Sequence, residues 1–227
     1  LAELGLAPKQ IATAEYNFIN NYGYHLNAGK FSQLLQKHIT EKLGVRYIAD
    51  HVTAIHSQHN GDIASLATIS HGEISGDLFI DCSGSRSMLL GEHLQVPWVS
   101  QQQVLFNDSA LAVQMPYPTA DAAIASCTHS TAQPSGWIWD IGLIHRRGVG
   151  HVYSSRHTSE DQATAKLAAY IGPAFNNASL RKIPLPCGHR DIFWKNNCVA
   201  VGLSAGFLEP LEASALVLVE LSAQMIS

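Results

Sequence analysis

Residues Gly202-Leu203-Ser204-Ala205-Gly206-Phe207-Leu208-Glu209-Pro210-Leu211-Glu212-Ala213-Ser214-Ala215 place glycines, a proline and two carboxylates at the start of an apolar stretch. A junction of that composition suits a charged or phosphorylated ligand. Pro210 fits the first position of a helix, where its missing N–H costs nothing, and Glu212 then falls in the first turn, whose backbone N–H groups have no intrahelical partner. The helix is expected to continue through Leu216, Val219, Glu220 and Met225. Its free N–H groups and positive dipole end favour an anion, and the small residues Ala213, Ser214 and Ala215 leave the backbone open to it. By spacing alone the run reads better as an ordinary loop-to-helix corner, with Glu212 a dipole-compensating surface carboxylate.

The elements around this corner are read from periodicity. Phe31, Leu34, Leu35, Ile39 and Leu43 recur at helical spacing, with Asn27 as N-cap and Gly44 as stop. Val45 to Ile55 reads as extended β-branched chain, and Asn60-Gly61 as a hairpin turn before strands Ile63–Ile69 and Leu78–Ile80. From about Val104 to Tyr153 the pattern predicts an antiparallel sheet with turns at Pro134-Ser135-Gly136 and Arg146-Arg147-Gly148. Trp137, Trp139 and Ile141 are two apart, so on a strand they share one face. Ser159 caps a helix through Ala163, Leu167 and Tyr170, and Cys198 to Leu203 forms a short buried strand leading into the glycine-rich corner.

The composition narrows the class. A chain of 227 residues with 46% hydrophobic content holds a substantial core, while 14% charged residues is low against roughly 25% for an average soluble domain. That shortage suggests surface meant to be covered, either by a partner subunit, as in a homodimer, or by chain that is missing here. A net charge of -4 gives no support for nucleic-acid binding. No apolar run is long enough to span a bilayer, and Leu1-Ala2-Glu3-Leu4 is no signal peptide. Cys82, Cys127, Cys187 and Cys198 form no Cys-x-x-Cys pair and read as reduced, mostly buried thiols of a cytoplasmic protein. The twelve histidines show no tight ligand spacing, so no metal site is expected.

Four stretches carry a family resemblance. The run Gly202 to Ala213 resembles the Gly-Leu-x-x-Gly-Phe-Leu-Glu-Pro-Leu-Glu-Ser segment of the flavin-dependent tryptophan halogenases, with Ala213 at the place of the serine. Tyr24-His25-Leu26-Asn27-Ala28 resembles that family's Tyr-His-Phe-Asp-Ala, Asp81-Cys82-Ser83-Gly84 its Asp-Cys-Ser-Gly, and Trp137-Ile138-Trp139-Asp140-Ile141-Gly142 its Trp-x-Trp-x-Ile-Pro. The Trp-x-Trp and Phe-Leu-Glu-Pro-Leu-Glu blocks are the specific ones.

The resemblance implies an α/β (mixed α+β) chain, part of an FAD-binding monooxygenase-like fold with a mixed antiparallel sheet and flanking helices. It implies a halogenase that uses reduced FAD, oxygen and chloride or bromide to generate hypohalous acid, which then halogenates an indole or another electron-rich aromatic. A separate flavin reductase would reduce the FAD. By motif, Glu212 matches the catalytic glutamate, Ser214 and Ala215 the halide-binding pair, and Val52, Leu203 and Leu216 the flavin-contacting positions. Trp137 and Trp139 match the tunnel wall that keeps bulky substrates from the flavin. Residues 22–90 and 195–227 would form the FAD-binding part and 91–194 the sheet-rich substrate and tunnel part of one incomplete unit, 1–227. No Gly-x-Gly-x-x-Gly occurs in the 227 residues, so the chain is expected to be an internal fragment, not competent alone. Gly142 stands where the signature has proline, and Ala213-Ser214-Ala215 where it has Ser-Thr-Gly. The alternatives are a flavin-dependent aromatic monooxygenase and a catalytically silent flavin-binding relative.

Overall fold

The computed structural model describes residues 2–227. Leu1, which opens the segment Leu1-Ala2-Glu3-Leu4 and the 1–227 unit, lies outside the described residues. Along the chain come α1 (Ala28–Glu41), β1 (Val52–Ser57), β2 (Ile63–Thr68), β3 (Gly72–Ser75), β4 (Phe79–Asp81), β5 (Trp98–Ser100) and β6 (Ser109–Met115). Then follow β7 (His129–Gln133), β8 (Gly136–Leu143), β9 (Arg146–Tyr153), α2 (Glu160–Ile171), β10 (Arg181–Pro184) and β11 (Gly188–Arg190). The chain closes with β12 (Trp194–Lys195), β13 (Cys198–Ala200), β14 (Gly206–Phe207) and α3 (Ala215–Ile226). Two compact units result: the chain up to Arg46 with Ser109–Pro184, and Tyr47–Asp108 with Leu185–Ser227.

The first unit is built on an antiparallel sheet in the order β10-β6-β9-β8-β7. Ser159 caps α2 with a full capping box, its side chain accepting from Gln162 N–H while Gln162 returns to the Ser159 N–H. Ala163 and Leu167 of α2 then pack on Leu111, Val113, Ile138, Val149 and Tyr153 of the sheet. Each fully buried aliphatic side chain in that layer contributes about 1.5–3 kcal/mol. Asn27 caps α1 by accepting from Lys30 N–H at 3.3 Å, and past Gly44 the Val45 N–H turns back to the Ile39 carbonyl. None of the α1 residues is buried.

The second unit holds three small sheets, β1-β2-β3, β14-β11-β5 and β12-β13-β4. The last is mixed, with β4 parallel to β13 and β12 antiparallel to it. Its core gathers Ile63, Phe79, Leu89, Leu90, Leu94, Val96, Cys198 and Ala200. The Asn197 side chain pairs with Ile63 as a strand would, accepting from its N–H at 2.8 Å and donating to its carbonyl at 2.9 Å. Among the described residues no helix is long and apolar enough to cross a membrane, and no group of three His, Cys, Asp or Glu is placed to hold a metal ion.

Several sequence expectations are corrected. The β8–β9 turn is the pair Ile144-His145, and Arg146, Arg147 and Gly148 lie inside β9, opposite Leu143, Gly142 and Ile141. Two residues suffice to close the hairpin, and the register then spends both arginines in the ladder. The extended run begins as strand only at Val52, because Asp50 turns the preceding chain by accepting from the N–H groups of His51, Ser70 and His71. β13 stops at Ala200 and passes into a 3-10 turn, Gly202–Ser204. The sheet of the first unit starts at Ser109, not Val104. Of the four free thiols, Cys187 and Cys198 are buried, Cys127 is half-buried and Cys82 is exposed.

His151 on β9 is fully buried, with its Nδ1–H donating to the Ala163 carbonyl of α2 at 3.0 Å. Burial pushes its pKa below the ordinary histidine value, against the Ala163 bond and with the help of the Lys166 charge. Between the lowered folded pKa and about 6.5 the unfolded chain binds a proton that the folded chain refuses, so stability falls as pH drops through that window. One such group accounts for at most about 1.4 kcal/mol between pH 7.5 and 5.5. Urea midpoints at the two pH values should therefore drop less for His151→Gln than for the wild type. Equal drops in both proteins contradict the assignment.

Candidate active site

Within the second unit the glycine-rich corner is held from below by Asp81, the last residue of β4 and 1% exposed. Its Oδ1 accepts from Ser83 N–H at 3.0 Å and Ser83 Oγ–H at 2.6 Å. Its Oδ2 accepts from the Leu89 and Leu90 N–H groups, both at 2.9 Å, and from Ser87 Oγ–H at 3.3 Å. Burial pushes the Asp81 pKa up, but the bonds from Ser83, Leu90 and Leu89 together outweigh it and hold the carboxyl below its ordinary value. The ionised carboxylate thus folds the Asp-Cys-Ser-Gly turn and a π-helical turn, Met88–His93, around itself. Its main-chain carbonyl takes the Val201 N–H at 3.0 Å, and Ser204 Oγ lies against the Asp81 and Val201 carbonyls. Next to this charge the buried Cys198 thiol is pushed up to about 12, first by burial and then by Asp81, and stays protonated.

The corner itself differs from the expected continuous helix. Pro210–Glu212 is a separate 3-10 turn, closed by Ala213 N–H on the Pro210 carbonyl at 3.0 Å. Ala213 then takes a left-handed φ of 51°, which reverses the chain before α3 begins. Pro210 is therefore the first residue of the short turn, and Glu212 ends that turn instead of entering the first turn of α3. The residue with positive φ is Ala213, while Ala215 is helical. Ser214 occupies the N-cap of α3 with αR backbone and no side-chain capping bond, which leaves the Ala215, Leu216 and Val217 N–H groups without an intrahelical acceptor.

Around this turn the apolar side chains of Leu203 and Leu216 are exposed by 46% and 61%. The Gly202–Ser204 turn approaches α3 closely enough that a Cβ on Gly202 would sit 3.6 Å from Val219 Cγ2. Glu212, Ser214, Ala215, Leu203 and Leu216 are thus brought to one corner. Val52 belongs to the same unit, half-buried at the start of β1 and paired with Thr68.

Trp137 and Trp139 lie in the other unit, neighbours along one face of β8 with ring centroids 6.2 Å apart. The opposite face buries Ile138, Asp140 and Gly142. There Arg147 reaches Asp140 at 2.9 Å, Tyr170 OH donates to Asp140 at 3.3 Å, and a cavity of about 220 Å³ opens beside Tyr117, His129 and Arg147. The tryptophans and this polar cavity therefore belong to opposite faces of the strand. Trp139 lies over Gly150 of β9, where a Cβ would come within 2.1 Å of the indole. At Gly142 a Cβ would meet Ile124 Cγ2 at 2.9 Å and Tyr117 Oη at 3.0 Å, so the missing side chain admits the segment that runs across the end of β8. Tyr117 OH donates to the Leu143 carbonyl, and His25 bridges the Gly142 carbonyl and Thr128 Oγ1 at 3.2 and 3.0 Å.

Asn107, whose Nδ2 donates to Glu209 Oε1, and the Ser87, Leu89 and Leu90 donors to Asp81 carry the corner without having been singled out by the sequence. The Asp-Cys-Ser-Gly spelling was the available signal for Asp81, since Ser two residues after Asp is the pattern of an Asx turn.

Known proteins agree with this architecture. The model of the tryptophan halogenase family matches residues 5–227. Tryptophan 6-halogenase SttH of Streptomyces toxytricini is 40% identical over 193 residues, which cover 85% of this chain and 37% of that protein. The crystal structure of a tryptophan halogenase from Shewanella frigidimarina superposes with a TM-score of 0.94 at 59% identity, covering all of this chain and 44% of that one. BrvH, a flavin-dependent halogenase from Brevundimonas sp. BAL3, gives 0.82 at 39% identity over 88% of this chain and 40% of its own. The chain thus spans less than half the length of each of these relatives.

Replacing Asp81 by Asn keeps the shape but turns one oxygen into a donor facing N–H groups that need an acceptor. A loss of about 2–4 kcal/mol is expected. Chemical denaturation of the Asp81→Asn variant measures it, and an unchanged midpoint refutes the cage.

Proposed function

The chain belongs to the tryptophan halogenase family, and from that premise we infer that it carries the flavin-side and halide-side corner of a cytoplasmic flavin-dependent halogenase acting on an indole or another electron-rich aromatic. The observation that carries this reading is the Glu212 turn. An exposed carboxylate, hydrogen-bonded to no other described residue, stands two positions before an uncapped helix start.

The residues fit a flavin. Leu203 and Leu216 offer exposed apolar surface for the ring system beside free backbone donors, and Val52, at the start of β1, would lie at the adenosine end. FAD held there, with a separate reductase, oxygen and halide, would supply the hypohalous oxidant. The Ser214 and Ala215 N–H groups hold the halide, because donors without an intrahelical partner and the positive end of α3 both favour an anion. Glu212 accepts the proton that leaves the substituted ring carbon, a base contribution worth about 10²–10⁴ in rate. Trp137 and Trp139 wall the passage against bulky groups. In this reading residues 22–90 and 195–227 serve the FAD and residues 91–194 the substrate and tunnel.

In the full chain supplied with FAD, a flavin reductase, NADH, oxygen, bromide and a panel of indoles, mass spectrometry should find a brominated product. Glu212→Gln should lose at least about 100-fold of that product with FAD affinity nearly unchanged. A hydroxylated product instead moves the assignment to the aromatic monooxygenases, and FAD binding without turnover to a silent relative. Ser214→Tyr should abolish halide use while hypohalous acid supplied from outside still reacts, and unchanged bromide dependence removes Ser214 from the halide site.

A further inference from the structure

Glu212 owes its place to its backbone alone, since its carboxylate hydrogen-bonds to no other described residue. That backbone is a single 3-10 turn, which no helix ladder supports on either side. What fixes the turn is the residue that precedes it. Glu209 caps it, with Oε2 accepting from Leu211 N–H at 3.4 Å. Its other oxygen, Oε1, accepts from Asn107 Nδ2 at 3.3 Å, from a segment 102 positions away in sequence. That segment is itself tied down: the Cys187 thiol points at the Asn107 carbonyl, and Leu185 N–H donates to the Asp108 carbonyl at 2.8 Å.

We propose that the Asn107–Glu209 pair is the positioning clasp of the Glu212 turn, one carboxylate oxygen locking the turn and the other locking it to the 107–108 segment. The proposal rests on the role given to Glu212 above. A single turn released at its cap rotates its last side chain, and a misplacement of about 1 Å at a reacting group costs on the order of 100-fold in rate. Since Glu209 acts through the turn that carries Glu212, its loss should fall on the proton-transfer step and leave flavin binding alone.

The hydrogen-bond polarity of the pair supplies the test in the full chain. Glu209→Gln leaves an amide NH2 facing either the Leu211 N–H or the Asn107 amide, and Asn107→Asp sets two carboxylates against each other. The double variant restores both bonds: the new amide at position 209 accepts from Leu211 N–H through its oxygen and donates through its NH2 to the new carboxylate at position 107. Each single variant is expected to lower kcat for bromination about 10- to 100-fold, with KM for the indole and FAD affinity within about twofold, and the double variant to recover to within about fivefold of wild type. Bromination by externally added hypobromous acid should fall in parallel in the single variants, because Glu212 acts after the oxidant is made. Asn107→Ala, which removes only the outer tie, serves if Glu209→Gln melts early. Normal kcat in Asn107→Ala or Glu209→Gln, or a double variant no better than the poorer single one, overturns the clasp. Full activity in a parallel Glu212→Gln control instead overturns the reading of Glu212 itself.

Discussion

Taking a carboxylate out of water costs several kcal/mol unless donors replace its hydration, and in this chain Asp81 is the carboxylate around which that replacement is built. Five donors converge on its two oxygens from Ser83, Ser87, Leu89 and Leu90. Because all of those donors come from one short segment of tight turns, the charge shapes the segment as much as the segment shelters the charge. The same residue's carbonyl receives Val201, so the strand end, the π-helical turn and the glycine-rich corner share one fixed point. The chain that runs on from Ser204 to the Glu212 turn therefore starts from an anchored point.

The parts of this fold that were legible in the sequence are those whose physics is local. Asn27 and Ser159 announced their helices because a capping side chain bonds within three residues of itself. Asn60-Gly61 marked the β1–β2 hairpin but not its turn, since the connection is the five-residue loop 58–62, closed by Gln58 N–H on the Asp62 carbonyl, and of the pair only Gly61 takes a positive φ. The common face of Trp137, Trp139 and Ile141 followed from the two-residue period of a strand. What stayed hidden depends on distant partners. The parallel pairing of Phe79–Asp81 with Cys198–Ala200 and the contact from Asn107 to Glu209 have no signature at either end.

The break between Glu212 and α3 was hidden for a different reason. A left-handed residue usually shows itself as glycine or asparagine, and here it is Ala213. Reading Pro210 as the start of a long helix was the correct use of the proline rule applied to the wrong element, since the rule holds equally for a three-residue turn. The consequence is chemical: Glu212 leaves the ladder of α3 and stands on a turn of its own, with the uncapped N–H groups beginning only after the chain has reversed.

Gly142 shows how one absent atom binds separate positions into a single unit of change. A Cβ there would collide with Ile124 and Tyr117, both of which lie on the segment crossing the end of β8. A proline at 142 in this chain would therefore have to come with smaller or displaced side chains at 117 and 124. A residue that looks like a lapse from a signature is then the space into which two other side chains of the same chain have grown.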